Sequence, residues 1–111
     1  MAYGIVLAPG AVAALKSLPV PVRIGVVKAM ELHLTHEPTK VSKSRIKRLR
    51  GLSQPQYRLR VGDIRVFYDV TETQVQVLAI VTKVEAEAWL EEQGTPDPEG
   101  SEGGGAGPGQ G

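Results

Sequence analysis

Apolar residues recur along the chain with two periods, one typical of helices and one typical of strands. Residues 3–8 form a short apolar run with β-branched side chains, which favours a strand. Over residues 9–34 apolar positions recur every three or four residues, and the stretch is divided by Pro19 and Pro21. This part of the chain therefore predicts a strand followed by an αα-hairpin.

Residues 57–82 instead alternate between apolar and polar positions. The run YRLRV, a pair of turn residues at 62–63 and the run IRVFYDV predict a β-hairpin. Toward the end of residues 75–82, odd- and even-numbered positions are both apolar. Since these positions face opposite sides of a strand, the pattern indicates a strand covered on both faces. A polar connection is expected over 39–56 and a short helix over 84–92.

This order of elements predicts an α+β fold. We expect an N-terminal strand, an αα-hairpin, a three-stranded antiparallel meander and a short C-terminal helix, with one compact sheet packed on the helices. Beyond residue 92 the chain is rich in Gly and Pro and has no apolar residue larger than alanine. The sequence therefore predicts one folded domain over 1–92 and a disordered tail over 93–111.

The composition limits the cellular compartment that we expect for the protein and the kinds of covalent and metal site that it can form. The chain has no cysteine, which excludes disulfides and thiolate metal sites and is typical of a reducing compartment. No basic leader precedes the first strand, and no apolar run approaches the roughly 18 residues of a membrane span. We therefore expect a cytoplasmic protein without a membrane partner.

Charge is distributed unevenly, although the formal net charge is only +1. Residues 40–65 hold nine of the 13 lysines and arginines and a single acidic residue, Asp63. A local cluster of this kind favours a polyanionic partner. A solvated surface whose charges balance in three dimensions is equally compatible with the counts.

The predicted hairpin brings arginines together. With a two-residue turn, Arg60 lies opposite Arg65, and both share a face with Arg58 and Phe67. Like charges in directly opposed positions cost a few tenths of a kcal/mol to about 1 kcal/mol. Arginine forks bind phosphate and an aromatic ring stacks on bases, so the pattern favours a nucleic-acid site. In the alternative interpretation, Asp69 or the acidic C-terminal helix neutralises the arginines and the phenylalanine belongs to the core.

Two histidines offer a second candidate site. His33, His36 and Glu37 are spaced so that they can share one helix face. No cysteine or third imidazole accompanies them, so we interpret them as capping or solvent-exposed residues and expect no metal.

The run IKRLRGLSQPQYRLRVGDIRVFYDV, followed by VQVLAIVTK, resembles the RelE toxins of the RelE/ParE superfamily over residues 2 to about 92. The resemblance implies a toxin of a type II toxin–antitoxin system with a cognate antitoxin as partner, and contact with DNA only through the antitoxin complex. It further implies a ribosome-dependent endoribonuclease that binds rRNA and cuts A-site mRNA with the RNA's own 2′-hydroxyl as nucleophile. No metal or other cofactor is implied. Two alternatives stay open: a ParE-like inhibitor of DNA gyrase, and an inactive member that binds only antitoxin or RNA.

The resemblance also implies site residues. Arg58 and Arg60 match the basic pair on the first hairpin strand, and Arg65 matches the arginine on the second and would stabilise the transition state. Lys83 keeps a basic group after the last strand and is the candidate for proton transfer, since arginine exchanges protons poorly near neutral pH. The expected RNA-binding residues are Lys43, Arg45, Lys47, Arg48, Arg50 and Phe67.

One part of the family pattern differs after the last strand. Where the family often has an arginine and then a tyrosine, this sequence has Val84 and either Trp89 or Leu90. A tryptophan on a short terminal helix is expected to anchor that helix in the core, and stacking of Trp89 on a base is the alternative.

Overall fold

The computed structural model describes residues 2–98, which form seven strands and three helices. The strands are β1 (Gly4–Leu7), β2 (Ile46–Arg48), β3 (Leu52–Gln54), β4 (Tyr57–Val61), β5 (Ile64–Val70), β6 (Gln74–Thr82) and β7 (Thr95–Pro96). The helices are α1 (Pro9–Ser17), α2 (Val20–Leu34) and α3 (Lys83–Gln93). The predicted α+β fold class is confirmed.

One five-stranded sheet, in the order β1–β6–β5–β4–β2, organises the fold. β1 runs parallel to β6, while β6, β5, β4 and β2 pair antiparallel in turn. The predicted meander corresponds to β4, β5 and β6. Gly62 has a φ of +57°, which a turn between β4 and β5 requires, and the predicted opposition of Arg60 and Arg65 is present.

Two segments differ from the sequence-based expectations. The connection over 39–56 contains β2, which extends the main sheet, and β3, which pairs with β7 in a separate two-stranded sheet. The ordered chain also continues beyond residue 92, because Gln93 ends α3 and Thr95–Pro96 forms β7. These strands are only two or three residues long, which is too short for a local pattern to mark them, and β3 and β7 also depend on each other across a long stretch of chain. The rest of the predicted tail, residues 99–111, lies outside the described residues.

The main core lies between the sheet and the first two helices. α1 packs on β6 and β1, and α2 packs on β4. Prolines stand in the first turns of both helices, where a missing N–H costs nothing. The buried core residues are Ala11, Val26, Met30, Leu34, Ile46, Leu59, Ile64, Val66, Tyr68, Val75, Val77 and Ile80.

Tyr68 is the one hydroxyl-bearing member of this core. Its Oη donates a hydrogen bond of 2.6 Å to the carbonyl oxygen of Pro38. Burial, and then the neighbouring Tyr57, raise the pKa of Tyr68 well above its usual range, so the hydroxyl stays protonated and keeps donating.

The third helix covers the opposite side of the sheet and contacts β5 and β6. It begins with a capping box: the Thr82 hydroxyl accepts from the backbone N–H of Glu85, and the Glu85 carboxylate accepts from the N–H of Thr82. Ala79 and Ile80 point to opposite faces of β6 and are both buried, which confirms that this strand is covered on both faces. None of the helices within residues 2–98 has the length and apolar character needed to cross a membrane.

Candidate nucleic-acid interface

The outer face of the sheet is the face that points away from α1 and α2. Strand pairing sets Lys47 beside Arg58 and Arg60 beside Arg65. The intervening Leu59 is fully buried in the main core, so the four basic residues lie on the other side. We call this set of Lys47, Arg58, Arg60 and Arg65 the basic face.

Positive charges on the basic face act on one another. Burial, then the charges of Arg65 and Arg60, lower the pKa of Arg58 from its usual value, although a guanidinium remains protonated. The Nε atom of Arg58 is buried and finds no hydrogen-bond acceptor among residues 2–98. A buried donor without an acceptor is costly, because it has lost the hydrogen bond that water would give it.

The alternative interpretation, in which acidic residues neutralise the arginines, has no direct ion pair to support it within residues 2–98. Among residues 2–98, no ion pair involves the arginines of the basic face. Asp69 is only 8% exposed and accepts instead from Gln54 Nε2 at 2.6 Å and from the backbone N–H of Gln56 at 2.8 Å. The aspartate therefore holds the chain that enters β4 and makes no ion pair with the basic face.

Arg65 is the least accessible arginine of the basic face, with 9% of its surface exposed. Its Nη1 atom donates to the carbonyl oxygens of Gly62 at 2.8 Å and Ile64 at 3.1 Å, so one arm of its fork is bound to its own turn. Arg58 is half-buried and Arg60 is exposed. The prediction that Arg65 stabilises a transition state stays a prediction, while Arg60 is the arginine most open to a ligand.

Phe67 does not offer its ring to a base. The side chain is 1% exposed and stacks on Trp89 of α3, with ring centroids 5.3 Å apart and ring planes 11° from parallel. The predicted stacking of a base on Phe67 is therefore contradicted by its burial, and the core alternative is correct. Trp89 has the anchoring role predicted for it.

Lys83 stands at the hairpin end of the basic face. It is the first residue of α3, and its backbone N–H donates to the carbonyl oxygen of Asp63 at 2.8 Å. This bond fixes the start of the helix against the same turn that holds Arg65. The lysine is exposed, which suits a role at an open site.

The remaining predicted RNA-binding residues lie in different places. Arg48 points to the side opposite Lys47: its guanidinium lies 5.1 Å from the ring centroid of Tyr57, and Nη1 donates to Gln56 O at 2.8 Å. Arg48 therefore lies outside the basic face, and its role in RNA binding stays a prediction. Its place on the strand explains this, because adjacent residues of β2 face opposite ways.

Lys43, Arg45 and Arg50 are exposed on the two sides of β2 along the chain. Arg45 lies in the loop before β2, where its carbonyl oxygen accepts from Arg60 N–H at 2.9 Å, so this loop borders the basic face. Arg50 follows β2 in a turn at the opposite end of that strand. Their roles in RNA binding stay predictions.

Sequence reasoning missed the supporting residues more than the charged ones. Two supports of the site were not predicted. They are the hydrogen bonds that Asp69 accepts from Gln54 and Gln56, and the packing of Trp89 over Phe67. The apolar side chains on both faces of β6 were the sequence feature that could have indicated a covered outer face. No comparable signal marks the bonds of the aspartate.

Comparison with known proteins gives similarity at the level of structure. No family model and no curated protein matches the sequence. Solved structures do match. A chain of the archaeal RelE–RelB complex from Pyrococcus horikoshii OT3 has 28% sequence identity and a TM-score of 0.62, covering 75% of this chain and 97% of that chain.

Two further structures agree. A chain of the toxin–antitoxin complex RelBE2 from Mycobacterium tuberculosis has 25% identity and a TM-score of 0.56, covering 74% of this chain and 99% of that chain. A chain of the RelB–RelE antitoxin–toxin complex from Methanococcus jannaschii has 20% identity and a TM-score of 0.59, covering 76% and 96% respectively. The chain therefore has a RelE-like fold.

Proposed function

We propose that this chain is the toxin of a type II toxin–antitoxin system and inhibits translation as a ribosome-dependent mRNA endoribonuclease. Similarity to chains from RelE–RelB complexes supports the toxin–antitoxin module. The observation that carries the action on RNA is the basic face, where Arg58, Arg60 and Arg65 are held together without a carboxylate partner among residues 2–98. Arginines kept close despite their repulsion suit a phosphate backbone.

The proposed chemistry uses the RNA as its own nucleophile. The 2′-oxygen attacks the adjacent phosphorus, the bond to the 5′-oxygen breaks, and the products carry a 2′,3′-cyclic phosphate and a 5′-hydroxyl. Arg58 and Arg60 would bind the phosphoryl oxygens and stabilise the charge that develops on them, with Arg65 adding its charge from the turn. Lys83, beside that turn, would exchange the proton that leaves the 2′-hydroxyl or reaches the 5′-oxygen.

A reconstituted translation assay tests this proposal. Ribosomes programmed with a short mRNA are mixed with wild-type protein, with Arg60→Ala or with Lys16→Ala, whose lysine lies on α1 away from the outer face. We expect fragments with 5′-hydroxyl ends, a loss of about 10- to 1,000-fold in cleavage rate for Arg60→Ala, and an unchanged rate for the control. The nuclease proposal fails if well-folded wild-type protein leaves the mRNA intact.

A second candidate is an RNA-binding member that does not cleave. It is favoured by the commitment of Arg65 Nη1 to its own turn and by the burial of Phe67, which leave fewer groups for chemistry. The same reactions distinguish the two, because this alternative gives a protein that sediments with ribosomes and releases no fragments. Inhibition of gyrase supercoiling without any effect on translation would instead select the ParE-like alternative.

The proposed partners are a cognate antitoxin and the ribosome, including rRNA and A-site mRNA, which places the protein in the cytoplasm. An antitoxin segment with acidic side chains over the basic face would neutralise Arg58 and Arg60 and exclude RNA by competition. DNA would be contacted only through the antitoxin complex. Reversing the charge of Arg60 and of its acidic partner together should recover affinity that each single change loses; unaltered affinity in both single variants argues against this interface.

A further inference from the structure

A pocket of about 360 Å³ lies outside the basic face, between the carboxyl end of α2 and the loop that leads into β2. His33 lies in the last turn of α2, and His36 follows just after the helix ends. A lysine and an arginine come from the loop. Leu32 and Ile46 supply apolar walls. The polar lining residues are His33, His36, Glu37, Lys40, Ser42, Ser44 and Arg45.

The pocket gathers groups that repel one another. Burial, and then the positive charge of Arg45, lower the pKa of His33 from its usual value. Glu37 lies 3.7 Å from Lys40, and among residues 2–98 no ion pair involves Arg45 or the histidines. With neutral imidazoles the lining carries a net charge of +1, from two cations and one carboxylate, and this rises to +3 when both histidines are protonated.

The hydrogen bonds of the loop keep this arrangement in place. Ser42 Oγ accepts from the backbone N–H groups of Arg45 and Ile46 at 3.1 and 3.2 Å, so its hydroxyl proton is directed to another acceptor. The carbonyl oxygen of Arg45 accepts from Arg60 N–H at 2.9 Å. The backbone of the pocket and that of the basic face are therefore joined by a direct hydrogen bond.

The end of α2 explains why protonation matters. A helix carboxyl terminus carries partial negative charge, which opposes an anion and favours a protonated histidine nearby. At neutral pH this partial charge and Glu37 offset much of the charge of Lys40 and Arg45. Protonated His33 and His36 change that balance and add N–H donors, which phosphate oxygens accept well.

We infer that this histidine pocket binds one phosphate group of an RNA strand whose neighbouring phosphates lie on the basic face, and that protonation of His33 and His36 tightens the binding. The inference rests on the proposed action on RNA and adds a contact site beyond the basic face. By linkage, the bound phosphate favours the charged imidazoles as much as the charged imidazoles favour the phosphate.

The test follows the ring C2–H signals of the two histidines by NMR, with and without a 12-nucleotide single-stranded RNA bearing 2′-O-methyl groups. This probe lacks the 2′-hydroxyl nucleophile and stays intact. We expect both titration midpoints to rise by about 0.5 unit on RNA binding, which corresponds to roughly threefold tighter binding per histidine. Fluorescence anisotropy should then give an affinity up to about tenfold higher near pH 5.5 than near pH 7.5 at constant ionic strength.

Variants assign the effect to the pocket. The double change of His33→Gln and His36→Gln should abolish the pH dependence and keep most of the affinity near neutral pH. Arg45→Gln should raise the titration midpoint of His33 in the free protein and weaken RNA binding at both pH values. Lys16→Gln, on α1, should behave as wild type. Circular dichroism melts confirm that each variant is folded.

Each outcome decides the inference. RNA binding that leaves the two histidine midpoints unmoved overturns it, as does pH dependence that survives in the double histidine variant. Inorganic phosphate that moves the midpoints as far as RNA does, at equal ionic strength, reduces the pocket to a general anion site and overturns the RNA assignment. Absence of RNA binding at millimolar concentration also overturns it, while the proposed nuclease function is judged separately by cleavage on programmed ribosomes.

Discussion

Replacing Arg60 with glutamine should stabilise the fold while it weakens RNA binding. Arg60 lies directly opposite Arg65 in the β4–β5 hairpin, and its charge also lowers the pKa of Arg58. It is exposed, and the described part of the chain provides it with no carboxylate partner. The substitution therefore removes repulsion at little cost in buried surface.

The strand register allows the gain in the free energy of unfolding to be estimated. The backbone N–H of Arg60 bonds to Arg45 O rather than to β5, so the pair with Arg65 is of the non-hydrogen-bonded kind, in which Cα atoms approach to about 4.5 Å. Two charges about 6 Å apart in water repel by about 0.7 kcal/mol. We expect the free energy of unfolding to rise by about 0.3–1 kcal/mol, or roughly 2–6 °C in Tm for a domain of this size.

Urea denaturation followed by circular dichroism measures the change, with Arg50→Gln as a matched control because Arg50 is exposed in a turn away from β5. The gain should shrink in about 1 M salt, where the Debye length falls to about 3 Å. RNA affinity should lose roughly 0.7 in its salt slope, as for one phosphate contact. A destabilised Arg60→Gln protein, or a gain equal to that of the control, would show that repulsion between Arg60 and Arg65 does not limit the stability of the fold.

Three further predictions concern the supports of the site. Trp89→Ala should lower the free energy of unfolding by about 2–3 kcal/mol, since it removes the half-buried ring that anchors α3, and this is measured by urea denaturation. Tyr68→Phe should cost about 1–2 kcal/mol in the same assay because the buried carbonyl oxygen of Pro38 loses its donor; equal stability would contradict this account. Hydrogen bonds from Thr82 lower the pKa of Glu85 below its ordinary value of 4.5. Because a lowered carboxyl pKa stabilises the folded form above the unfolded pKa, the start of α3 should fray as pH falls below about 4.5, and the protection of its amides, taken relative to intrinsic exchange at each pH, should fall. Glu85→Gln is the comparison, because its side chain cannot lose a charge as the pH falls. If the wild type and this variant show the same pH dependence of protection at the start of α3, the capping explanation is wrong.

Much of the strand geometry could be predicted from local sequence. Two turn residues at 62–63 set the pairing of β4 with β5, and a two-residue turn leaves only one register that buries Leu59 and Val66 together. Helix starts at the prolines followed from local chemistry in the same way. The strands β3 and β7 could not be predicted, because each is paired only with the other across a long stretch of chain. The strand β2 pairs with the nearby β4, but its three residues are too few to show a strand pattern.

In the candidate site, local sequence predicts the placement of the arginines but not the accessibility of the face on which they lie. The alternation of YRLRV and the opposition of Arg60 to Arg65 are enough to place three arginines on one face of the hairpin. Whether that face is open depends on the elements that pack over it. Phe67 looks accessible in the pattern, yet α3 returns across the sheet and covers it with Trp89.

Periodicity and turn length act over a few residues, so the sequence is enough to predict the RelE-like order of elements, the hairpin register and the concentration of positive charge. Tertiary structure alone decided that Arg65 is bound to its turn, that Arg48 lies on Tyr57, and that Asp69 serves the backbone of Gln56 rather than the arginines. Accessibility and hydrogen-bond partners depend on which distant elements pack over a residue, and no local pattern records that.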